Sequence, residues 1–462
     1  MNGPGPVAAP MMDLAEAARA VDGRASGANP AFSGVSTDSR AVAPGDLFVA
    51  LAGERFDGHD YVAEALRRGA AAALVSRPVG AAGDFPQVLV ADTKAGLGRL
   101  AAAWRARFSL PVAALTGSNG KTTVKEMVAA ILAAHCGGRG DVLATEGNLN
   151  NDIGLPLMLL RLRDHHRFGV FEMGMNHAGE IDYLARLAAP GVALVNNAQR
   201  AHVGLLGSVE AIARAKGEIY GGLAPGGIAL VNADDAYAGY WRGLADGRRV
   251  VTFGMTASSD VRGTPGEGAQ LRLVTPVEAF AVTLQVPGEH NARNAIAACA
   301  LAFALDIPWQ AIQTGLEAFT GARGRLERKR AAGGATLFDD TYNANPDSMR
   351  AAIRVLAAEP GRRVFVMGDM GELGGGEGAL HAEIGEFARG AGIDRLLALG
   401  PQSRRAVEAF GAGAAHFEDL ESLVAAAQAE ALAGVAVLVK GSRFMRMERV
   451  VERLAAEVSR AA

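Results

Sequence analysis

Short apolar runs rich in β-branched and aromatic residues alternate along this chain with longer Ala-rich stretches whose apolar positions recur at helical spacing, a pattern that predicts an α/β fold. The first group is LFVAL (47–51), a helix-like YVAEALRRGA (61–70) and AAALV (71–75). A second series begins near Leu110 with PVAALTG and continues through FGVFEMG (168–174), GVALVNN (191–197) and GIALVNA (227–233). These runs are apolar throughout and end in polar residues, as expected of parallel strands covered on both faces with functional groups at their carboxyl ends. A third series follows the Gly/Arg-rich stretch from Gly321 to Gly334: TLFDD (336–340), RVFVMGD (363–369), RLLALG (395–400) and VAVLVKGS (435–442), closed by an Arg-rich amphipathic helix from Met445 onward. Boundaries near Phe108 and Gly321 divide the chain into units 1–107, 108–320 and 321–462, in line with a length of 462 residues.

Composition narrows the partners. With 46 basic against 49 acidic residues the net charge is −3, which gives no excess for holding nucleic acid or an acidic membrane. No apolar run approaches the roughly 20 residues that cross a bilayer. The amino terminus lacks a basic and then apolar leader, and Cys136 and Cys299 make no disulfide framework, so a soluble, reduced, cytoplasmic protein is expected. Only six of the basic residues are lysine: Lys94, Lys121, Lys125, Lys216, Lys329 and Lys440. Where Arg serves as the generic cation, surviving lysines should be enriched at places that need a compact ammonium or a deprotonatable amine.

The sharpest local signal is LTGSNGKTTVKEM (115–127), which follows a predicted strand and leads into a helix expected from Val124. In that setting the backbone N–H groups of Gly117, Ser118, Asn119, Gly120 and Thr123 and the helix amino terminus can hold phosphate, Lys121 can reach the β/γ-phosphates, and the Thr122 hydroxyl can bind magnesium. The general phosphate-loop pattern wants a Gly at position 115, where Leu stands, so this is the shorter G-x-x-G-K-T form. Glu172 ends one predicted strand and His202 lies just past the next. Neighbouring parallel strands would bring both to the edge that carries the loop, where each can ligate a divalent metal. In GEHNARNAIAA (288–298), His290, Asn291 and Asn294 stand at a helix entrance, as caps or as hydrogen-bonding groups for a base or ribose. GARGRLE (321–327) puts Arg325 in the hinge, and FDDTYNANPDSM (338–349) sets Asp340, Tyr342, Asn343 and Asn345 on a loop dense in turn formers.

TGSNGKTT, EGNLNNDIGLP (146–156), Glu172, His202, Lys216 within ARAKGEIY, GEHNARNA, GRLE and DDTYNANPDS occur in the order seen in the Mur ligase family, which the chain resembles over nearly its whole length. These are ATP-dependent amide-bond-forming enzymes of peptidoglycan synthesis. The resemblance implies three domains: an amino-terminal one for the UDP-sugar peptide, carried by STDSRAVAPGDLFVALAGERFDGHDY (36–61); a central parallel-sheet P-loop ATPase; and a Rossmann-like carboxyl domain for the incoming amine and part of ATP. Within the family, DDTYNANPDSM, GDMGELG (368–374) with His381, and KGSRFMRME (440–448), together with the absence of a DNPR-like signature, imply UDP-N-acetylmuramoyl-tripeptide and D-alanyl-D-alanine as substrates. By resemblance, two magnesium ions are held by Thr122 with Glu172 and by His202 with Lys216. An ammonium repels a metal, so the last assignment implies a carbamylated Lys216. Asn148, Asn150 and Asn151 would line the substrate side, His290, Asn291, Asn294, Arg325, Asp340 and Tyr342 would hold adenosine and phosphates, and Thr37, Ser39 and Arg40 would lie near the uridine diphosphate.

For the dipeptide carboxylate, Ser442, Arg443 and Phe444 are candidates, since a guanidinium fork suits a carboxylate; a cap and first turn of the terminal helix is the plainer role. A monomer is expected. A folylpolyglutamate synthase is disfavoured by the amino-terminal unit, and a nucleotide switch by the full-length motif order.

Overall fold

The computed structural model describes residues 9–54, 56–79, 85–201 and 203–455. The apolar runs become strands of three separate sheets. Asp46–Val49 and Ala72–Val75 pair in parallel at the centre of a five-stranded sheet that also contains Gly34–Ser36, Gln87–Leu89 and Arg24–Ser26. Val112–Thr116, Phe168–Glu172, Val192–Val195 and Ile228–Asn232 lie in a nine-stranded sheet. Thr336–Asp340, Val435–Lys440, Arg362–Gly368, Arg395–Leu399 and Ala414–Phe417 run parallel in a six-stranded sheet whose antiparallel edge is Glu327–Arg330.

What positions the site is the strand order of the nine-stranded sheet. Val112–Thr116 sits between Phe168–Glu172 and Val192–Val195, with Leu115 opposite Glu172 and Thr116 opposite Val195. All three strands end at the same edge, and the chain leaves them in opposite directions, which opens a crevice at their carboxyl ends. Each strand is buried along its whole length, which is why the runs read as continuous rather than alternating. The far edge differs. Gln270–Val274 and Ala279–Thr283 are antiparallel strands that bury alternate residues only, so no apolar run announces them.

The helix expected from Val124 begins earlier, at Lys121, and extends to Cys136. Gly120 takes φ 80° and turns the chain directly into it. The terminal helix begins later than expected: Arg443–Met445 is a single 3₁₀ turn, Arg446 adopts a left-handed φ of 50°, and the α-helix spans Glu448–Leu454. Sheet and helix Lys121–Cys136 share a core with helices Glu289–Ala304 and Trp309–Ala318. The helix Thr93–Arg105 belongs to the chain's first third, yet its Leu97, Leu100 and Trp104 join the core that contains Leu155 and Leu184 of the central unit, and the Trp104 indole donates to Leu162 O at 3.1 Å.

One close approach supports the phosphate-loop helix from behind. A Cβ on Gly315 would lie 2.3 Å from the Ile131 Cα, a collision with backbone that no rotamer relieves. Gly315→Ala is therefore expected to destabilise the central unit by about 1–3 kcal/mol, the usual cost of overpacking. Calorimetry should show a lowered transition; an unchanged melting profile would mean that the two helices are free to separate.

Candidate active site

The loop Gly117–Gly120 and the first turn of helix Lys121–Cys136 lie at the crevice. No side chain caps this helix, so its first N–H groups face the loop's concavity, the arrangement that binds phosphate. Lys121 folds back over the loop, its ammonium 2.7 Å from Gly117 O and 3.4 Å from Ser118 O. Burial holds that ammonium below its ordinary pKa, opposed by the charge of Glu172. The loop is gripped by the strand-end segment 196–199. Asn196 Nδ2 donates to Asn119 O at 2.9 Å, Asn119 N donates to Asn197 Oδ1 at 2.9 Å, and Ser118 Oγ bonds both Gln199 N and Gln199 O.

Glu172, buried at the end of its strand, accepts from the Thr122 hydroxyl at 2.7 Å on one carboxylate oxygen and from Asn150 Nδ2 at 2.8 Å on the other. Arg325, from the segment 321–327, donates to the same Thr122 hydroxyl at 2.8 Å and stacks 4.1 Å over the Tyr342 ring. Asp340 accepts from Lys440 Nζ at 2.6 Å and from Leu326 N at 3.1 Å, which ties the strand end to the segment 321–327. Two more bridges cross between the units. Asn345 Nδ2 donates to Asn119 Oδ1 at 2.8 Å, and the Arg200 guanidinium pairs with Asp347 and Glu383. Between the two sheets lies a cavity of about 1120 Å³ that reaches Lys121, Asn148, Glu172, Asn294, Arg325 and Tyr342.

Lys216 is 1% exposed in the last turn of helix Val209–Gly217. Burial, reinforced by the nearby charge of Lys121 and opposed by Glu172, pushes its pKa well below the ordinary lysine value. His290 borders the cavity, and burial lowers its imidazole although Asp340 pulls the other way. Asn291 and Asn294 sit inside the first turns of helix Glu289–Ala304 rather than ahead of it; Asn294 Oδ1 accepts from Asn196 Nδ2 at 3.1 Å. Asn151 accepts from Gly154 N at 2.8 Å just ahead of a short helix, and it too lines the cavity. Thr123 is buried under the loop.

The remaining expectations fare differently. His202 lies outside the described residues. Thr37, Ser39 and Arg40 follow the strand Gly34–Ser36 of the amino-terminal sheet and do not line the cavity; Arg40 is exposed and paired with Asp38. Ser442 is buried and committed, accepting from Gly371 N at 2.8 Å and donating to Ala344 O at 3.1 Å. Arg443 pairs with Glu448, and Phe444 borders a smaller cavity of about 500 Å³ beside Asp369 and His416. His381 is fully buried and joins Met370 N to Glu377 O, a scaffold for the GDMGELG loop. Asn196, Asn197, Gln199 and Lys440 were not singled out from the sequence as site residues. The polar ends of the strand runs and the scarcity of lysine carried the signal for them.

The oxygen donors of Thr122 and Glu172 suit a hard divalent ion, and among the described residues no three His, Cys, Asp or Glu side chains cluster as a metal cage. That donor set fits magnesium, which takes one or two carboxylates together with substrate phosphates.

Similarity to known proteins covers the same regions. "Mur ligase family, catalytic domain" matches residues 31–105, "Mur ligase middle domain" residues 115–302, and "Mur ligase, glutamate ligase domain" residues 324–443. UDP-N-acetylmuramoyl-tripeptide–D-alanyl-D-alanine ligase of Escherichia coli (strain K12) is 45% identical over 446 residues, 94% of this chain and 96% of that protein. A crystal structure of MurF from Acinetobacter baumannii superposes with a TM-score of 0.89 at 38% identity, covering 96% of this chain and 98% of that one. MurF from Thermotoga maritima in complex with ADP gives a TM-score of 0.79 at 28% identity, over 91% and 96%.

The loop geometry itself is testable. A Cβ on Gly120 would lie 2.3 Å from Asn294 Oδ1 and 2.7 Å from Asn196 Nδ2, at a φ of 80° that side chains rarely adopt. Gly120→Ala should therefore weaken nucleotide binding at least tenfold while the protein stays folded. Calorimetric titration with ADP checks this, and parental affinity would show that the asparagine brace is not rigid.

Proposed function

The chain belongs to the Mur ligase family, and from that premise we propose how its residues join D-alanyl-D-alanine to UDP-N-acetylmuramoyl-tripeptide at the expense of ATP. The protein is an ATP-dependent amide ligase of peptidoglycan synthesis. The observation that carries the mechanistic reading is the meeting of Thr122, Glu172 and Arg325 beside the loop over which Lys121 folds, at the cavity between two sheets. The γ-phosphoryl passes from ATP to the tripeptide's terminal carboxylate: a carboxylate oxygen bonds to phosphorus, the bond to the bridging oxygen of ADP breaks, and an acyl phosphate results. The unprotonated amine of the dipeptide then attacks the acyl carbon and inorganic phosphate leaves, while the nitrogen's surplus proton passes to solvent or phosphate.

Attacking and leaving oxygens are both negative in the first step, so catalysis is mainly positioned positive charge. Lys121 supplies a compact ammonium at the phosphates. Thr122 and Glu172 would hold one magnesium ion, and His202 with a modified Lys216 the second; bound there, the ions neutralise phosphate charge. Arg325 orients the Thr122 hydroxyl and, with Tyr342, borders the nucleotide. His290, Asn291, Asn294 and Asp340 act on the adenosine side, the backbone N–H groups from Gly117 to Thr123 on the phosphates. Asn148, Asn150 and Asn151 face the peptide; Thr37, Ser39 and Arg40 serve the uridine diphosphate, and Arg443 and Phe444 the dipeptide end, while the Ser442 hydroxyl, engaged by Gly371 and Ala344, braces the loop that carries them. The enzyme acts as a cytoplasmic monomer in this reading, and among the described residues no helix is long and apolar enough to cross a membrane.

Incubation with ATP, magnesium, D-alanyl-D-alanine and UDP-muramoyl peptides of several lengths, followed by mass spectrometry, tests the whole. The pentapeptide product should form from the tripeptide alone; ADP release without any peptide product would contradict it.

Two variants test the residue roles. Lys121→Ala should abolish product formation with unchanged thermal stability, and Lys121→Arg should fail as well, because a planar guanidinium cannot sit as a point charge in this loop. Turnover near that of the parent in either would remove the phosphate-loop assignment. Lys216 is buried in a setting that favours the neutral amine, the form able to attack carbon dioxide, with a C–N bond made and one proton released. The carbamate carries two oxygens and a negative charge, a hard ligand for magnesium. Lys216→Ala should be nearly inactive and regain part of its rate with formate or acetate, whereas Lys216→Arg should not. Full activity of Lys216→Ala without added carboxylate would refute the modification.

A further inference from the structure

Lys125 is the one lysine on the phosphate-loop helix for which the reaction has no use, and it is 1% exposed. Its ammonium donates to Thr145 O at 2.6 Å and meets the Glu126 carboxylate at 2.5 Å; Glu126 in turn pairs with Arg139. A buried ion pair is weak evidence of stabilisation, since well-packed apolar residues usually serve as well. The geometry of the carbonyl it holds is more telling. Thr145 stands where the strand Val142–Ala144 leaves its neighbour, its N–H donates to Val170 O at 3.0 Å, and its hydroxyl accepts the Glu172 N–H at 2.9 Å. From Thr145 the chain runs on to Asn150, whose side chain donates to the Glu172 carboxylate.

We infer that Lys125 is a positioning residue that sets the Glu172 carboxylate against the Thr122 hydroxyl. Helix Lys121–Cys136 carries Thr122 and, three residues on, Lys125. Through the Thr145 carbonyl, Lys125 fixes a residue whose hydroxyl holds the Glu172 N–H and from which the chain enters the loop bearing Asn150. The helix thus measures the gap between the two oxygen donors. Loss of the ammonium leaves a buried carbonyl unpaired and frees Thr145 to rotate away from Glu172. Outer-shell contacts of this kind commonly govern ion affinity by about 10–100-fold.

This role rests on the assignment of Thr122 and Glu172 to a metal ion, and the test separates the two. Manganese binding to the ADP complex is followed by the electron paramagnetic resonance of free Mn²⁺, alongside ADP affinity without metal. Lys125→Met and Thr145→Val should each lower Mn²⁺ affinity about tenfold or more, with metal-free ADP affinity within twofold of the parent. Thr145→Ser, which keeps the hydroxyl, should bind Mn²⁺ within threefold of the parent. A folded Lys125→Met with parental Mn²⁺ affinity overturns the positioning role. Should Lys125→Met fail to fold, equal Mn²⁺ affinities of Thr145→Val and Thr145→Ser overturn it instead. Glu172→Gln is the control: a large loss there with none in Lys125→Met defeats this inference alone, whereas parental Mn²⁺ binding by Glu172→Gln defeats the metal assignment and this role with it.

Discussion

At the crevice the Thr122 hydroxyl bridges the central and carboxyl-terminal units. Thr122 donates to Glu172 within the central unit and accepts from Arg325 of the segment 321–327, so its two hydrogen-bonding directions point to the two sides of the crevice. The arrangement needs the strand order that places Phe168–Glu172 beside the phosphate-loop strand. It also needs an Arg325 guanidinium that is held in place, which the Tyr342 ring and the Asp340–Lys440 pair provide. The carboxyl-terminal side of the crevice therefore meets the central one at the oxygen proposed to bind the metal.

Around that point a network of amides supplements the charged groups. Asn119, Asn196, Asn197, Asn294 and Asn345 form a connected brace from the central sheet to the first turn of the carboxyl-terminal unit. Amides can donate and accept without adding net charge near a polyphosphate. Carboxylates that do approach are engaged: Asp340 by Lys440, and Asp347 and Glu383 by Arg200, whose guanidinium holds Glu383 below the usual carboxylate range.

The continuous apolar runs were legible as parallel strands because burial on both faces leaves no alternation to misread, and their polar ends announced the crevice. The phosphate loop was legible because its chemistry is local. What escaped depends on registry between distant segments. Asn196 and Asn197 matter through their alignment with Asn119, which only the pairing of Val195 with Thr116 creates. Ser442 reads from sequence as equally a ligand or a cap; in the fold its hydroxyl is used by Gly371 and Ala344, about 70 and 100 residues away in the chain. The antiparallel strands at the far edge were missed because they bury one face of a half-polar pattern. The rarity of lysine and the motif KGSRFMRME both pointed to Lys440, which anchors the Asp340 strand end.

The dependence of Arg325 on Thr122 is the claim on which the shared site stands, and a double-variant cycle measures it directly. The affinity for ADP with magnesium is determined for Arg325→Met, Thr122→Val and the combined variant. Arg325→Met should cost tenfold or more in the parent background and less than threefold when Thr122 is already Val. Equal losses in both backgrounds would show that the two residues act independently and would contradict the account.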